Sequence, residues 1–339
     1  MTTGLVSDDR FLLHKAPYDH PEHPGRLLAV RAGLEREGLV RFCRRVPARP
    51  ATDDELTAVH TPDHVWKIDA TAGSPFTQLD PDTYACADSA AAARLAAGGL
   101  VDLTLGTLSG QWDNGFALLR PPGHHAEADA AMGFCLFNNV AIAAKAALSA
   151  GARRVLIVDW DLHHGNGTQN TFWNDPRVVY FSTHEWPLYP GTGASDETGG
   201  EDARGRTINL PWPPGMGDAE YLAAFDEILM PIARQYEPDL VIVSCGFDAA
   251  LGDLLGQMRI SPDGYAQMTS RLLPLAGGRI VLALEGGYRL DAIAQSAAAC
   301  VKVLQGEEPL PETLPTPNPL ARRAIERTRS LHAPFWEGL

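Results

Sequence analysis

The stretch Val155–Gly167 reads V-L-I-V-D-W-D-L-H-H-G-N-G, and its polar residues, Asp159, Asp161, His163, His164 and Asn166, are of the types that bind metal ions or move protons. They follow directly on a β-branched apolar run, which suits a strand buried on both faces of a parallel sheet. Open α/β sheets hold their ligand sites at the carboxyl ends of such strands. In extended backbone, side chains two apart share a side. Asp159, Asp161 and His163 are therefore expected together, with Trp160 and Leu162 turned away. A lone Asp would read as a strand-end cap; D-x-D-x-H-H-G reads as a metal site.

Other strand ends carry chemistry as well. Phe116–Leu119 reads as a short strand running into R-P-P-G-H-H-A-E, where the prolines and the glycine impose an irregular loop. Adjacent histidines diverge on any regular element, so such a loop is what lets His124 and His125 aim at one site. Leu240–Ser244 leads to C-G-F-D, which puts Asp248 just past the sheet edge. Ile280–Leu284 leads to E-G-G-Y and ends in Tyr288 on a glycine-loosened turn. Parallel strands gather these ends along one edge. Asp161, His163 and Asp248 then give three N/O ligands with a position left for water, the composition of a catalytic zinc site. Fe(II) or Mn(II) suits the same set. Water on such a zinc has a pKa of roughly 7. His124 and His125 can take its proton and later protonate a leaving amine, with Asp159 behind the first and Asn166 behind the second. Tyr288 can donate to an oxyanion. The set spells metal-assisted amide hydrolysis.

Strand and helix alternate across roughly 110–305 without a low-complexity break, repeat or long linker. That pattern implies a single α/β domain over 1–339, a doubly wound, mainly parallel sheet flanked by helices. Residues 306–339 read as a tail, proline-rich and then helical, that packs on the core. Expected helices include Leu27–Glu37, 84–105 ending near Gly98-Gly99 with Asp82 as its N-cap, Ala219–Gln235 and 262–276. Val178–Ser182 reads as a strand, followed by a glycine-rich loop over Tyr189–Gly205. His14, His20 and His23 lie among prolines without regular spacing and read as loop packing rather than ligands. A net charge of -14 excludes a basic nucleic-acid surface and leaves a cationic substrate open. Cys43, Cys86, Cys135, Cys245 and Cys300 form no C-x-x-C and read as buried, reduced thiols of a cytoplasmic protein. No signal peptide is evident, and no apolar run of about 18 residues suggests a membrane span.

R-P-P-G-H-H-A, G-F-C-L-F-N-N-V, V-D-W-D-L-H-H-G-N-G-T-Q, S-C-G-F-D-A-A-x-G-D and L-E-G-G-Y occur in order within about residues 17–305. At these residues the chain resembles the arginase/deacetylase superfamily, specifically zinc-dependent histone deacetylases of class II and their bacterial relatives, the deacetylase-like amidohydrolases and acetylpolyamine amidohydrolases. Asn166 and the E-G-G-Y form point to class II. The resemblance implies one Zn2+ on Asp161, His163 and Asp248, with His125 as general base, His124 in support and Tyr288 polarising the acyl carbonyl. It also implies K+ on main-chain oxygens of Asp159, Asp161 and His163 and the hydroxyl of Ser182. Gly133, Phe134 and Tyr189 would line an acyl-lysine tunnel, Tyr189 standing where phenylalanine is more usual. Asp82 would grip the substrate backbone instead of capping a helix, and Arg26 would lie in an inner acetate channel.

Leu255 stands where polyamine-selective relatives carry a gatekeeper glutamate. The expected substrate is accordingly an acetylated lysine in a protein or peptide, ahead of a small acetylated amine such as N-acetylputrescine or N-acetylspermidine. Residues 15–25 are expected to narrow the mouth, where Glu22 or Asp19 could attract an ammonium. A non-catalytic acyl-lysine binder would lack a ligand, base or tyrosine, and none is lacking. A two-metal ureohydrolase would need further aspartates. Homo-oligomerisation is left open.

Overall fold

Short apolar runs separated by polar turns dictate strands, and the order in which they pair decides where their ends meet. The computed structural model describes residues 1–309 and 316–339. Its strands are β1 (Thr3–Val6), β2 (Cys43–Val46), β3 (Thr77–Gln78), β4 (Tyr84–Ala85), β5 (Asn114–Ala117), β6 (Val155–Asp159), β7 (Val178–Glu185), β8 (Thr207–Trp212), β9 (Leu240–Cys245) and β10 (Ile280–Leu284). β3 and β4 form a small antiparallel ribbon. The other eight make one sheet in the order β2-β1-β5-β10-β9-β6-β7-β8, parallel throughout.

The inner strands β5, β10, β9 and β6 are buried along their whole length. Each fully buried Leu, Ile, Val or Phe there contributes about 1.5–3 kcal/mol. The edge strand β2 is C-R-R-V with both arginines exposed, a charged edge that discourages further pairing. From β5 the chain crosses through helix Asn139–Ser149 to β6, skipping two places, and then builds outward through β7 and β8. Only afterwards do β9 and β10 fill the gap. The gap is the point where the winding reverses, and crevices form at such points.

Several elements differ from the sequence expectation. The expected 84–105 helix is Ser89–Leu108 and runs straight through Gly98-Gly99. A Cβ on Gly98 would lie 2.2 Å from the Arg49 carbonyl oxygen, and one on Gly99 would lie 3.0 Å from Val6. These glycines let neighbouring backbone approach the helix rather than ending it. Asp88, not Asp82, occupies the N-cap position. By length and composition this helix could cross a bilayer, contrary to the expectation, but 72% of its apolar window is buried inside the molecule.

The strand expected at Phe116–Leu119 is β5, two residues earlier, and that expected at Val178–Ser182 continues to Glu185. Ala219–Gln235 becomes Asp218–Tyr236, with a π-helical turn at Phe225–Leu229. The helix expected over 262–276 stops at Leu272. The C-terminal helix Pro319–His332 lies on β8, where Thr328 donates to the Asn209 carbonyl at 3.2 Å. Part of the proline-rich stretch ahead of it, 310–315, lies outside the described residues.

Candidate active site

The loop after β5 turns through a cis Arg120–Pro121 bond and delivers two histidines to one place. Glu285, at the end of the neighbouring β10, fixes that loop: its Oε2 accepts from Gly123 N at 2.6 Å and His124 N at 3.3 Å. The His124 and His125 rings sit 4.0 Å apart. Behind them stand distinct acceptors, with His124 Nδ1 3.1 Å from Asp159 Oδ2 and His125 Nδ1 2.8 Å from Asn166 Oδ1. Asn166 Nδ2 donates to Glu127 at 2.5 Å, which fixes the amide so that its oxygen faces the imidazole. His125 Nδ1 is therefore the donor, and its Nε2 is left as the acceptor. Gly133, at φ +55°, packs so closely that a Cβ there would lie 2.3 Å from His125 Cδ2.

Asp161, His163 and Asp248 come from β6 and β9, which are adjacent. Their ligand atoms all lie within 4.8 Å of one another, all three residues are buried, and among the described residues this is the one cluster of its kind. His163 Nδ1 is 3.2 Å from Asp161 Oδ1 and 3.1 Å from Asp248 Oδ2. The other oxygen of each carboxylate is held by backbone: Gly286 N donates to Asp161 Oδ2 at 2.8 Å, and Leu162 N to Asp248 Oδ1 at 2.9 Å. Asp161 Oδ1, turned inward, also accepts from His163 N at 2.9 Å, while Asp248 Oδ2 faces the His163 ring.

Burial works against charge on His163, but its hydrogen bonds to Asp161 and Asp248 outweigh it and hold the imidazole up at about 10. Burial, reinforced by Asp161, pushes Asp248 up to about 7. Burial also opposes charge on His124, yet Asp161 and Asp159 carry it up to about 10. Two inward carboxylates thus hold a proton that a ligand imidazole gives up to a divalent ion. Donor types, convergence and missing positive charge all fit a zinc-type cation. His125 is driven the other way, well below its ordinary value, by burial and by its charged neighbours His124 and His163. The pair is split into one charged and one neutral imidazole.

A cavity of about 250 Å³ reaches this centre, lined by Asp82, His124, His125, Gly133, Phe134, His163, Leu188, Tyr189, Leu255 and Tyr288 among others. Tyr288 is buried, its backbone N–H bound to Asp253 Oδ2 at 2.7 Å, and its hydroxyl has no protein partner among the described residues. The Tyr189 ring stands edge-on to His125 at 5.1 Å. Asp82 lies at the rim rather than on a helix, accepting from Gly133 N at 3.2 Å. Ser182 is buried beneath, its hydroxyl 2.9 Å from His184 Nδ1.

Other residues lie apart from the centre. His164 is used by Thr192 and Gln169. His14 pairs with Ser89, His23 bonds to local backbone, and His20 lies between the Glu22 and Asp82 carbonyls. Glu22 does not face the mouth, contrary to the expectation. It is fully buried, bonded to Arg120 at 2.5 Å and Arg26 at 2.9 Å. Arg26 in turn donates to the Gly287 carbonyl at 2.6 Å and lies 4.9 Å from the Tyr288 ring centroid. Sequence reasoning overlooked Glu285, Asp253 and Glu127. Each left only a trace, as the end letter of a quoted motif: Glu285 opens E-G-G-Y, Asp253 closes S-C-G-F-D-A-A-x-G-D and Glu127 closes R-P-P-G-H-H-A-E.

A parallel α/β sheet thus gathers an Asp-His-Asp cluster, paired histidines and a tyrosine at its reversal point, the residue types that a metal-dependent hydrolase uses. A histone deacetylase domain model matches residues 20–304. Histone deacetylase 15 of Arabidopsis thaliana is 46% identical over 350 residues, covering 100% of this chain and 63% of the relative. Histone deacetylase HDA1 of Saccharomyces cerevisiae is 41% identical over 373 residues, covering 99% and 53%. The crystal structure of the HDA15 HD domain superposes with a TM-score of 0.95 at 45% identity, covering 99% of this chain and 95% of that one. The chain belongs to the histone deacetylase family. It spans 63% and 53% of the length of those two curated relatives.

Proposed function

We propose that the chain is a zinc-dependent deacetylase that hydrolyses the acetyl amide of lysine side chains in proteins or peptides. The observation that carries this reading is the buried Asp161–His163–Asp248 cluster at the floor of a cavity that also holds a neutral His125 and an unpartnered Tyr288 hydroxyl. The names of the relatives, both histone deacetylases, support the substrate class. Asp161, His163 and Asp248 would hold a zinc ion, which when bound would supply a Lewis acid for the acyl carbonyl and acidify water. His125, with Nδ1–H on Asn166, accepts the proton of the attacking water at Nε2. His124, charged against Asp159, stabilises the negative charge that develops nearby and can return a proton to the leaving amine. The Tyr288 hydroxyl donates to the oxyanion. Gly133, Phe134 and Tyr189 enclose the aliphatic stem of the lysine, and Asp82 at the rim is free to hold the substrate backbone. Arg26, behind Tyr288, lines the inner end where acetate would leave.

K+ on the main-chain oxygens of Asp159, Asp161 and His163 and on Ser182 belongs to the same proposal. So does a cytoplasmic setting, which the five unpaired cysteines support. An acetylated small amine is the competing substrate. Leu255 at the cavity wall offers a cation nothing, and of the two carboxylates expected to attract one, Glu22 is buried between two arginines, which leaves Asp19. The test is a side-by-side rate comparison on acetyl-lysine peptides, N-acetylputrescine and N-acetylspermidine. Peptides should be preferred, and Leu255→Glu should shift the preference several-fold toward the amines. Faster turnover of the amines by the unaltered enzyme would overturn the substrate class.

A further inference from the structure

The cavity wall does not stop at Phe134. His20 packs edge-on against the Phe134 ring at 4.7 Å, and its Nε2 lies 3.3 Å from the Asp82 carbonyl oxygen. Tyr18 stands 6.1 Å beyond His20, and Phe76 6.0 Å beyond Tyr18. The rings thus form a continuous track from the tunnel to the surface, where Tyr18 is 49% and Phe76 38% exposed. Large aromatic side chains left in water beside a cavity usually mark a surface that something covers. Asp19 follows Tyr18 in the chain, and Asp80 sits in the turn between β3 and β4 with Asp82, whose carbonyl oxygen meets His20. None of the three carboxylates forms an ion pair among the described residues, and residues 15–24 and 74–85 contain one Lys or Arg, Lys15. Exposed ring faces flanked by unpaired carboxylates select a cation.

We propose that Tyr18, Phe76 and Asp80 form a subsite, outside the tunnel, for a lysine or arginine side chain of the polypeptide that carries the acyl-lysine. This rests on the deacetylase reading above and narrows its substrate class to lysines in basic surroundings. Extended chain advances about 3.3–3.6 Å per residue, so the track serves a side chain about two to four residues from the modified one. The track is continuous with the tunnel mouth, and the rim charge complements the occupant, which favours a peptide segment over a separate partner.

The test uses the full chain with three acetyl-lysine peptides of equal length, bearing Arg, Ala or Glu two to four residues away. Capped N-acetyl-lysine and N-acetylspermidine are run beside them. The Arg peptide is expected to exceed the Ala peptide about five- to tenfold in kcat/KM, mainly through KM, with the margin shrinking as salt rises. Tyr18→Ala and Phe76→Ala should each bring that ratio within about twofold while capped N-acetyl-lysine is turned over as before; Asp80→Asn should lower it in part. Phe76→Ala provides the reading should Tyr18→Ala loosen the early loop. Equal rates on Arg and Ala peptides, or a ratio that survives both ring substitutions, would overturn the subsite. A rate on N-acetylspermidine above that on the Arg peptide, lost in the ring variants, would make the occupant a small amine and overturn the polypeptide assignment. No turnover of capped N-acetyl-lysine or any peptide would instead sink the deacetylase reading itself.

Discussion

Two regions of the molecule bury histidines and carboxylates together, and they do opposite things. Around Glu22, one carboxylate meets two guanidiniums, Arg26 and Arg120, with His14 3.6 Å away. Burial alone would raise Glu22, but the arginines hold it far below the ordinary glutamate range. The same burial pushes the weakly paired His14 down to about 3. Charge there is balanced by residues already present. Around Asp161 and Asp248, backbone amides hold both oxygens of the first and one of the second, no Lys or Arg side chain among the described residues is ion-paired to either, and the histidines must carry the positive charge. A buried acid matched by arginines is framework, whereas one matched only by imidazole is ready for a cation.

Substitutions can break this contrast from either side. Asp161→Ala should have the largest effect, a loss of bound zinc by metal analysis together with at least about 10³-fold in turnover. Stoichiometric zinc in that variant would undo the ligand assignment. Glu22→Ala should strand two buried guanidiniums and cost about 3–5 kcal/mol of stability, read in denaturant melts, with zinc content per folded molecule unchanged. Because the folded value of Glu22 is depressed, its contribution is present above about pH 4.5 and is lost as pH falls toward the folded value. Acid melts of the wild type and Glu22→Gln should therefore converge below that point. Tyr288→Phe should lower kcat about 10²–10³-fold, comparable to removing one oxyanion donor, while sparing zinc and melting temperature. Asn166→Ala, which removes the acceptor behind His125 together with the donor to Glu127, should cost about 10–100-fold.

The strand ends were legible because each pairs an apolar run with a polar cluster. Asp161 and His163 share a side through the two-residue period, and Asp248 and Tyr288 end strands whose limits are plain. What surrounds them was hidden for a physical reason. Glu285 reaches Gly123 across 162 positions of chain, and Arg120 reaches Glu22 across 98. No local spacing encodes such contacts. Glu22, in a proline-broken loop, reads as exposed until the distant Arg120 joins Arg26, four positions on, in closing over it. Gly98-Gly99 misled for a related reason, since a glycine that ends a helix and one that admits a neighbour look alike until the neighbour is placed.

The strand order has a consequence for how this chain comes into being. β9 and β10, which occupy the middle of the sheet, are the last of its strands to be synthesised. Until they arrive, β5 and β6 stand with open inward edges, ready to pair with the wrong partner. Asp248, the third of the proposed metal ligands, and Tyr288 arrive with these same strands. On the proposed assignment a nascent chain is incapable of the chemistry until its sheet is closed, and metal uptake would report that the closure has taken place.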